Sequence, residues 1–264
     1  MNRIDQKFKD LREKKEKAFI AFVTAGDPSL RITEELVYSF ERNGVDIVEL
    51  GVPFSDPLAD GPTIQASSQR SLKRGTNLSK ILNTVKRIRQ RSQIPIALMT
   101  YYNPIFHYGE SKFIKDAQKC GVDGVIIPDL PLEEATSYLR SAKANRITTS
   151  LFLAPTTTRQ RMRKIVKAAT GFVYYVSLTG VTGAHKAFSE KNAANIRLAK
   201  RMTKKPICVG FGISTPSQVR SVAKISDGVI VGSAIVNQIE KNRGKANLVK
   251  NVSRFVWTLA RGLK

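Results

Sequence analysis

Eight short runs of apolar and β-branched residues recur along the chain every few tens of residues: AFIAFVTAG, VDIVELG, PIALMTYYN, DGVIIPD, TSLFLAP, GFVYYVS, PICVGFG and DGVIVG. Segments whose apolar positions follow helical spacing lie between them, among them ITEELVYSFERNG, SKFIKDAQKCG, LEEATSYLRSAKAN and SEKNAANIRLAKRM. Nothing else in the sequence constrains the fold as much. Parallel strands need a crossover between them, so strands that alternate with helices pair in parallel. Eight such units in 264 residues predict an α/β chain folded as a closed (β/α)8 TIM barrel, one domain over residues 1–264. A doubly wound open sheet would also alternate, but the even spacing and the lack of a GxGxxG turn after the first run favour the barrel. Before the first run, MNRIDQKFKDLREKKEK places Ile4, Phe8 and Leu11 on one face and predicts an extra N-terminal amphipathic helix.

Composition narrows the function classes. Lys and Arg number 44 against 21 Asp and Glu, a formal charge of +23 that raises the question of a polyanionic partner. The basic residues are scattered through helix-like stretches such as Arg70–Arg91 and Arg159–Lys167, with no aromatic-interleaved block, so they are assigned to solvated helix faces and not to a nucleic-acid site. The two cysteines, Cys120 and Cys208, have no metal-ligand spacing around them; neither a metal site nor a disulfide framework is expected. No apolar run approaches the roughly 20 residues of a membrane span. A soluble, cytoplasmic protein is expected, with the plastid stroma as the alternative for a plastid-encoded chain.

In barrels of this kind, chemistry sits on the loops that follow the strands. The loop after the second run, ELGVPFSDPLADGP, is stiffened by three prolines and carries Glu49 at its start and Asp60 near its end. Glu49 lies in the apolar context IVELGV, where burial raises a carboxyl pKa and suits it to proton transfer near neutrality. Asp60 lies in a polar, proline-framed setting and is expected to stay ionised, so the two carboxylates could divide acid and base roles. The alternative is structural: Glu49 in a barrel ion pair, Asp56 and Asp60 organising turns. Asp129, in PDLP, has the same ambiguity.

Three glycine-bearing stretches follow the last three strands: GVTG (Gly180–Gly183), GFGIS (Gly210–Ser214) and GSA (Gly232–Ala234). Each alone could be a tight turn. Together, with GSAIVNQIE starting a short extra helix after the eighth strand, they predict a phosphate cradle built from backbone amides and the Ser233 hydroxyl. Phe22, Tyr101, Tyr102, Tyr174 and Phe211 fall at strand ends, as rim packing or as the wall of a flat apolar ligand. His107 and His185 receive no role.

Taken together, FVTAGDP, ELGVPFSDPLADGP, YYNP, PDLP, LFLAPTT, SLTGVTGA, VGFGIS and VGSAIV resemble, over essentially the whole chain, the tryptophan synthase alpha subunit family. The resemblance implies retro-aldol cleavage of indole-3-glycerol phosphate to indole and D-glyceraldehyde 3-phosphate. Glu49 would be the acid and base at the reacting carbon, and Asp60 would bond the indole N–H. By the same resemblance Gly183, Gly212, Gly232 and Ser233 match phosphate contacts. Phe22, Tyr101, Tyr174 and Phe211 match the walls of an indole pocket, and Thr182 matches a lid residue that closes over Asp60. The family implies a beta-subunit partner in an αββα tetramer, with Pro53, Asp56, Pro57 and Asn103 near the contact. Pyridoxal phosphate would belong to that partner, and no cofactor is expected in this chain. The strong positive charge is the main departure from the family.

Overall fold

The computed structural model describes residues 2–176, 190–210 and 212–263. The first half of the chain runs α1 (Arg3–Glu13), β1 (Ala18–Thr24), α2 (Leu30–Arg42), β2 (Ile47–Gly51), α3 (Pro62–Lys73), α4 (Leu78–Ile88), β3 (Ile96–Met99), α5 (Tyr102–Tyr108), α6 (Glu110–Cys120) and β4 (Gly124–Ile126). The second runs α7 (Thr136–Ala144), β5 (Thr148–Leu153), α8 (Arg159–Ala168), β6 (Val173–Val176), α9 (Glu190–Met202), β7 (Ile207–Gly210), α10 (Pro216–Ala223), β8 (Gly228–Val231), α11 (Ser233–Asn242) and α12 (Leu248–Ala260). All neighbouring strands are parallel, in sequence order, and β8 returns to β1 to close the barrel.

Strand alternation decides which side chains face the centre. Ala18 and Ile20 of β1, Ile47 of β2, Ala97 of β3, Cys208 of β7 and Ile230 of β8 form the interior cluster. The intervening Phe19, Ala21, Val48, Leu50 and Leu98 pack outward beneath the helices. Ile4, Phe8 and Leu11 of α1 join the interior cluster, so the predicted amphipathic helix is a plug under the N-terminal ends of the strands. The basic stretch Arg70–Arg91 is two helices, α3 and α4, separated at Gly75, whose φ of +69° favours glycine. Lys73, Arg74, Lys80, Lys86 and Arg87 in it are exposed, as expected of solvated helix faces.

Beneath the strands one motif occurs four times. Asp46 N–H donates to the Phe19 carbonyl, and the Asp46 carboxylate accepts from the Phe19 N–H, both at 2.9 Å. Asp123 does the same to Ile96, Thr170 to Thr149 and Asp227 to Ile207, with side-chain bonds of 2.9, 2.7 and 3.0 Å. Each clasp satisfies an amide at the first or second residue of an odd strand with the side chain that leads into the following even strand. The repeated Gly-Val-Asp of GVDIVEL and GVDGVII is the sequence trace of two of them. Cations hold the carboxylates: Arg89 and Arg3 on Asp123 at 2.7 and 3.0 Å, and Lys200 on Asp227 at 2.7 Å.

Candidate active site

Strand phase places Glu49 in the barrel mouth. Ile47 faces the interior, so Glu49, two residues on, faces it too, level with Phe22 of β1 and Ala97 of β3. Glu49 is fully buried, and among the described residues neither carboxyl oxygen has a hydrogen-bond partner. An ionised carboxylate is poorly stabilised in such a place, and burial pushes the group up to about 8. It is therefore an uncharged acid at neutral pH. An orphaned polar group in a well-packed interior needs a reason, and a proton donor awaiting its acceptor is one. Burial likewise pushes the Tyr174 hydroxyl and the Cys208 thiol up, so both stay neutral beside it.

Aromatic rings surround the acid, and two glycines make room for them. A Cβ on Gly51 would lie 2.5 Å from Phe22 Cζ, and one on Gly210 would lie 2.7 Å from the Tyr174 hydroxyl. Neither position admits another residue without moving a ring. Tyr174 in turn packs 4.9 Å from Phe152, centroid to centroid. Phe22, Asp60, Met99 and Tyr101 line one small cleft, about 10 Å³, over the ends of β1, β2 and β3, which brings apolar side chains and one carboxylate together.

Asp60 is held from a side that the sequence does not reveal. The Tyr101 hydroxyl donates to its carboxylate at 3.1 Å and accepts from the Ala59 N–H at 2.9 Å, while Gln65 Nε2 donates to the Asp60 carbonyl at 2.8 Å. The loop folds back against Tyr101, so Asp60, read from the sequence as lying in a polar, proline-framed setting, is half-buried. Burial raises its pKa, and the Tyr101 bond lowers it in part. Tyr101 thus orients the carboxylate as well as walling the cleft. No spacing signal could have paired residues 41 apart.

The other end of the mouth is built around glycines. Gly232, with no side chain, stands at the N-cap of α11, and Ser233 is that helix's first residue, so no side chain caps its leading amides, the arrangement that suits an anion. Gly212, at φ +63°, turns the chain just after β7. Gly183, Thr182 and Phe211 lie outside the described residues.

The four residues expected near a partner divide. Asp56 and Asn103 are exposed and Pro57 is half-exposed, but Pro53 is buried. Pro53 therefore supports the loop from within and offers no surface, because the chain turns inward directly after β2. Sequence reading missed two large apolar side chains on the same rim, Leu58 at 95% exposure and Phe106 of α5 at 71%. Asp129 has a structural contact: its carboxylate accepts from the Tyr102 N–H at 2.9 Å, at the start of α5. A separate concavity of about 480 Å³, lined by Lys15, Lys17, Lys204 and Asp227 among others, opens at the strands' N-terminal ends, away from all of these groups.

Comparison with known proteins agrees with this geometry. The family described as "Tryptophan synthase alpha chain" matches residues 8–264. The tryptophan synthase alpha chain of Geotalea daltonii is 48% identical over 263 residues, covering 100% of this chain and 99% of that one. A crystal structure of the alpha subunit from Legionella pneumophila superposes with a TM-score of 0.93 at 35% identity, covering 100% of this chain and 98% of that one. A structure of the tryptophan synthase a2b2 complex from Pyrococcus furiosus gives 0.86 at 37% identity, covering 92% and 98%. The chain belongs to the tryptophan synthase alpha chain family.

Proposed function

We propose that Glu49 and Asp60 perform the family's reaction in this chain, the retro-aldol cleavage of indole-3-glycerol phosphate to indole and D-glyceraldehyde 3-phosphate. The carbon–carbon bond to indole C3 cannot break directly, because indole would depart as a carbanion. Glu49 first gives its proton to C3, and the positive charge spreads to the ring nitrogen. Asp60 accepts a hydrogen bond from that N–H and stabilises the charge. The Glu49 carboxylate then takes the proton from the hydroxyl on the carbon bonded to C3. The bond's electron pair returns to the ring, indole leaves as a neutral aromatic, and the carbon becomes the aldehyde. Each turnover leaves Glu49 protonated, as it began.

The observation that carries this reading is the buried, unpartnered Glu49 carboxyl with its pKa raised to about 8. Gly212, Gly232 and Ser233 would hold the phosphate, with Gly183 beside them. Phe22, Tyr101, Tyr174 and Phe211 would enclose the indole, and Thr182 would close over it. Indole release from indole-3-glycerol phosphate, with and without a beta subunit, tests the roles. Glu49→Gln and Asp60→Asn should each lose at least about a hundredfold in rate. Unchanged rates in both variants would refute the assignment.

The partner is read as a beta subunit in an αββα assembly, with pyridoxal phosphate held by that subunit. The retro-aldol step needs no such group, since the protonated indole ring is itself the electron sink. Asp56, Pro57 and Asn103 would contact the partner, and exposed Leu58 and Phe106 beside them supply the apolar anchors that interfaces bury.

A further inference from the structure

Helix α3 meets the barrel in an unusual way: its buried residues are Ser67, Ser68 and Ser71. Ser67 Oγ lies 2.6 Å from Thr24 Oγ1, and Ser71 Oγ donates to the Ala25 carbonyl at 2.6 Å. Three serines bury little apolar surface, so burial does little to fix where this helix sits. Directional contacts must do it. The strongest of them is Arg70, whose Nε and Nη2 fork the Asp27 carboxylate at 3.0 and 2.7 Å, while its Nη1 forms an ion pair with Glu240 Oε2 at 2.6 Å that lacks hydrogen-bond geometry. Asp27, in the loop after β1, is 2% exposed, so this fork is shielded from water and geometrically exacting.

The three elements that this guanidinium joins hold the two ends of the site. Arg70 stands eight residues beyond the start of α3, about 12 Å along the helix, and Asp60 lies just before that start. Glu240 stands seven residues beyond Ser233, about 10 Å along α11 from its phosphate-facing amides. The helices also pack on each other and on β1, which carries Phe22.

We infer that Arg70 is a positioning residue that fixes the span between Asp60 and the N-terminus of α11, so that a phosphate held at α11 places the indole N–H on Asp60. The inference rests on the roles proposed above for Asp60 and the α11 amides. Arg70 itself touches no substrate. Lysine at this position would keep the charge but could not fork Asp27 while also reaching Glu240.

The test is a double-mutant cycle on the chain assembled with a beta subunit. Arg70→Lys should lower kcat for indole release about tenfold, because small displacements of a positioned group are costly to rate. Inhibition by glycerol 3-phosphate, which probes the phosphate end alone, should move less than about twofold. In an Asp60→Asn background the same Arg70→Lys change should lower the residual rate less than about twofold, because the group it positions is gone. Glu240→Gln, at a partly exposed site, should act in the same direction with the Asp27 fork intact, and it serves if Arg70→Lys does not fold. Equal losses in both backgrounds, a parallel loss of glycerol 3-phosphate binding, or an unchanged kcat in both variants would overturn the inference. A wild-type chain that releases no indole would overturn the lyase reading and this inference with it, an outcome distinct from an active wild type with an indifferent Arg70.

Discussion

Replacing Glu49 with glutamine should stabilise the protein while removing its activity, and the gain should depend on pH in a calculable way. The carboxyl has an ordinary pKa of 4.5 and about 8 when folded, so the folded chain binds this proton more tightly than the unfolded chain does. Stability is therefore full below about pH 4.5 and is lost as pH rises through the folded value, levelling off above it. A shift of about 3.5 units at 1.36 kcal/mol each corresponds to about 5 kcal/mol over the whole window. Glutamine keeps the shape and cannot ionise. The advantage of Glu49→Gln over wild type should thus be under about 1 kcal/mol at pH 5, about 3 at pH 7 and about 4 at pH 8. At about 2–4 °C per kcal/mol for a chain of this size, Tm at pH 7 should rise by roughly 6–12 °C. Urea or thermal denaturation of both proteins at pH 5, 6, 7 and 8 measures this. A difference that stays flat across that range, or that shrinks as pH rises, would show that Glu49 is not a buried neutral acid, and the proton-donor argument would fall with it.

Three further outcomes follow from particular contacts. Tyr101→Phe keeps the ring but removes the hydroxyl bound to Asp60, whose pKa that bond lowers; kcat/KM should fall about tenfold and the acid limb of its pH profile should move upward, as steady-state assays would show. In Gly51→Ala the new methyl must displace the Phe22 ring, so an indole-bearing substrate analogue should bind at least about fivefold more weakly while glycerol 3-phosphate binding is kept, measurable by calorimetry. Leu58→Asp alters a side chain that touches almost nothing in the isolated chain; Tm should be unchanged, and affinity for a beta subunit in sedimentation should fall at least about tenfold.

The parts of this molecule that were legible in the sequence are those that obey a local period. Two-residue alternation put Ile47 and Glu49 on one side of β2, and apolar spacing in α1 gave the plug of Ile4, Phe8 and Leu11. The raised pKa of Glu49 followed from its neighbours in the chain, because a strand buried on both sides surrounds every residue with apolar groups. Asp60 was less legible: its half-burial comes from Tyr101, on a different strand–helix unit. The same holds for Pro53, buried although the resemblance set it near a partner contact, and for Arg70, which looked like one more solvated cation among many. Contacts between residues distant in sequence leave no periodic trace in a single chain.

The four clasps beneath the barrel bear on how the chain reaches this structure. Each joins backbone and side chain across only 20 to 27 residues. Bringing such near segments together carries a modest loop-closure entropy, and local contacts of this kind speed folding. The pairing of β1 with β8 is of another order, since it joins opposite ends of the chain. Assembly is thus expected to proceed through two-strand modules, each registered by its own clasp and laid down in sequence. On this reasoning the β1–β8 seam is expected to seal last and to stay longest exposed to mispairing.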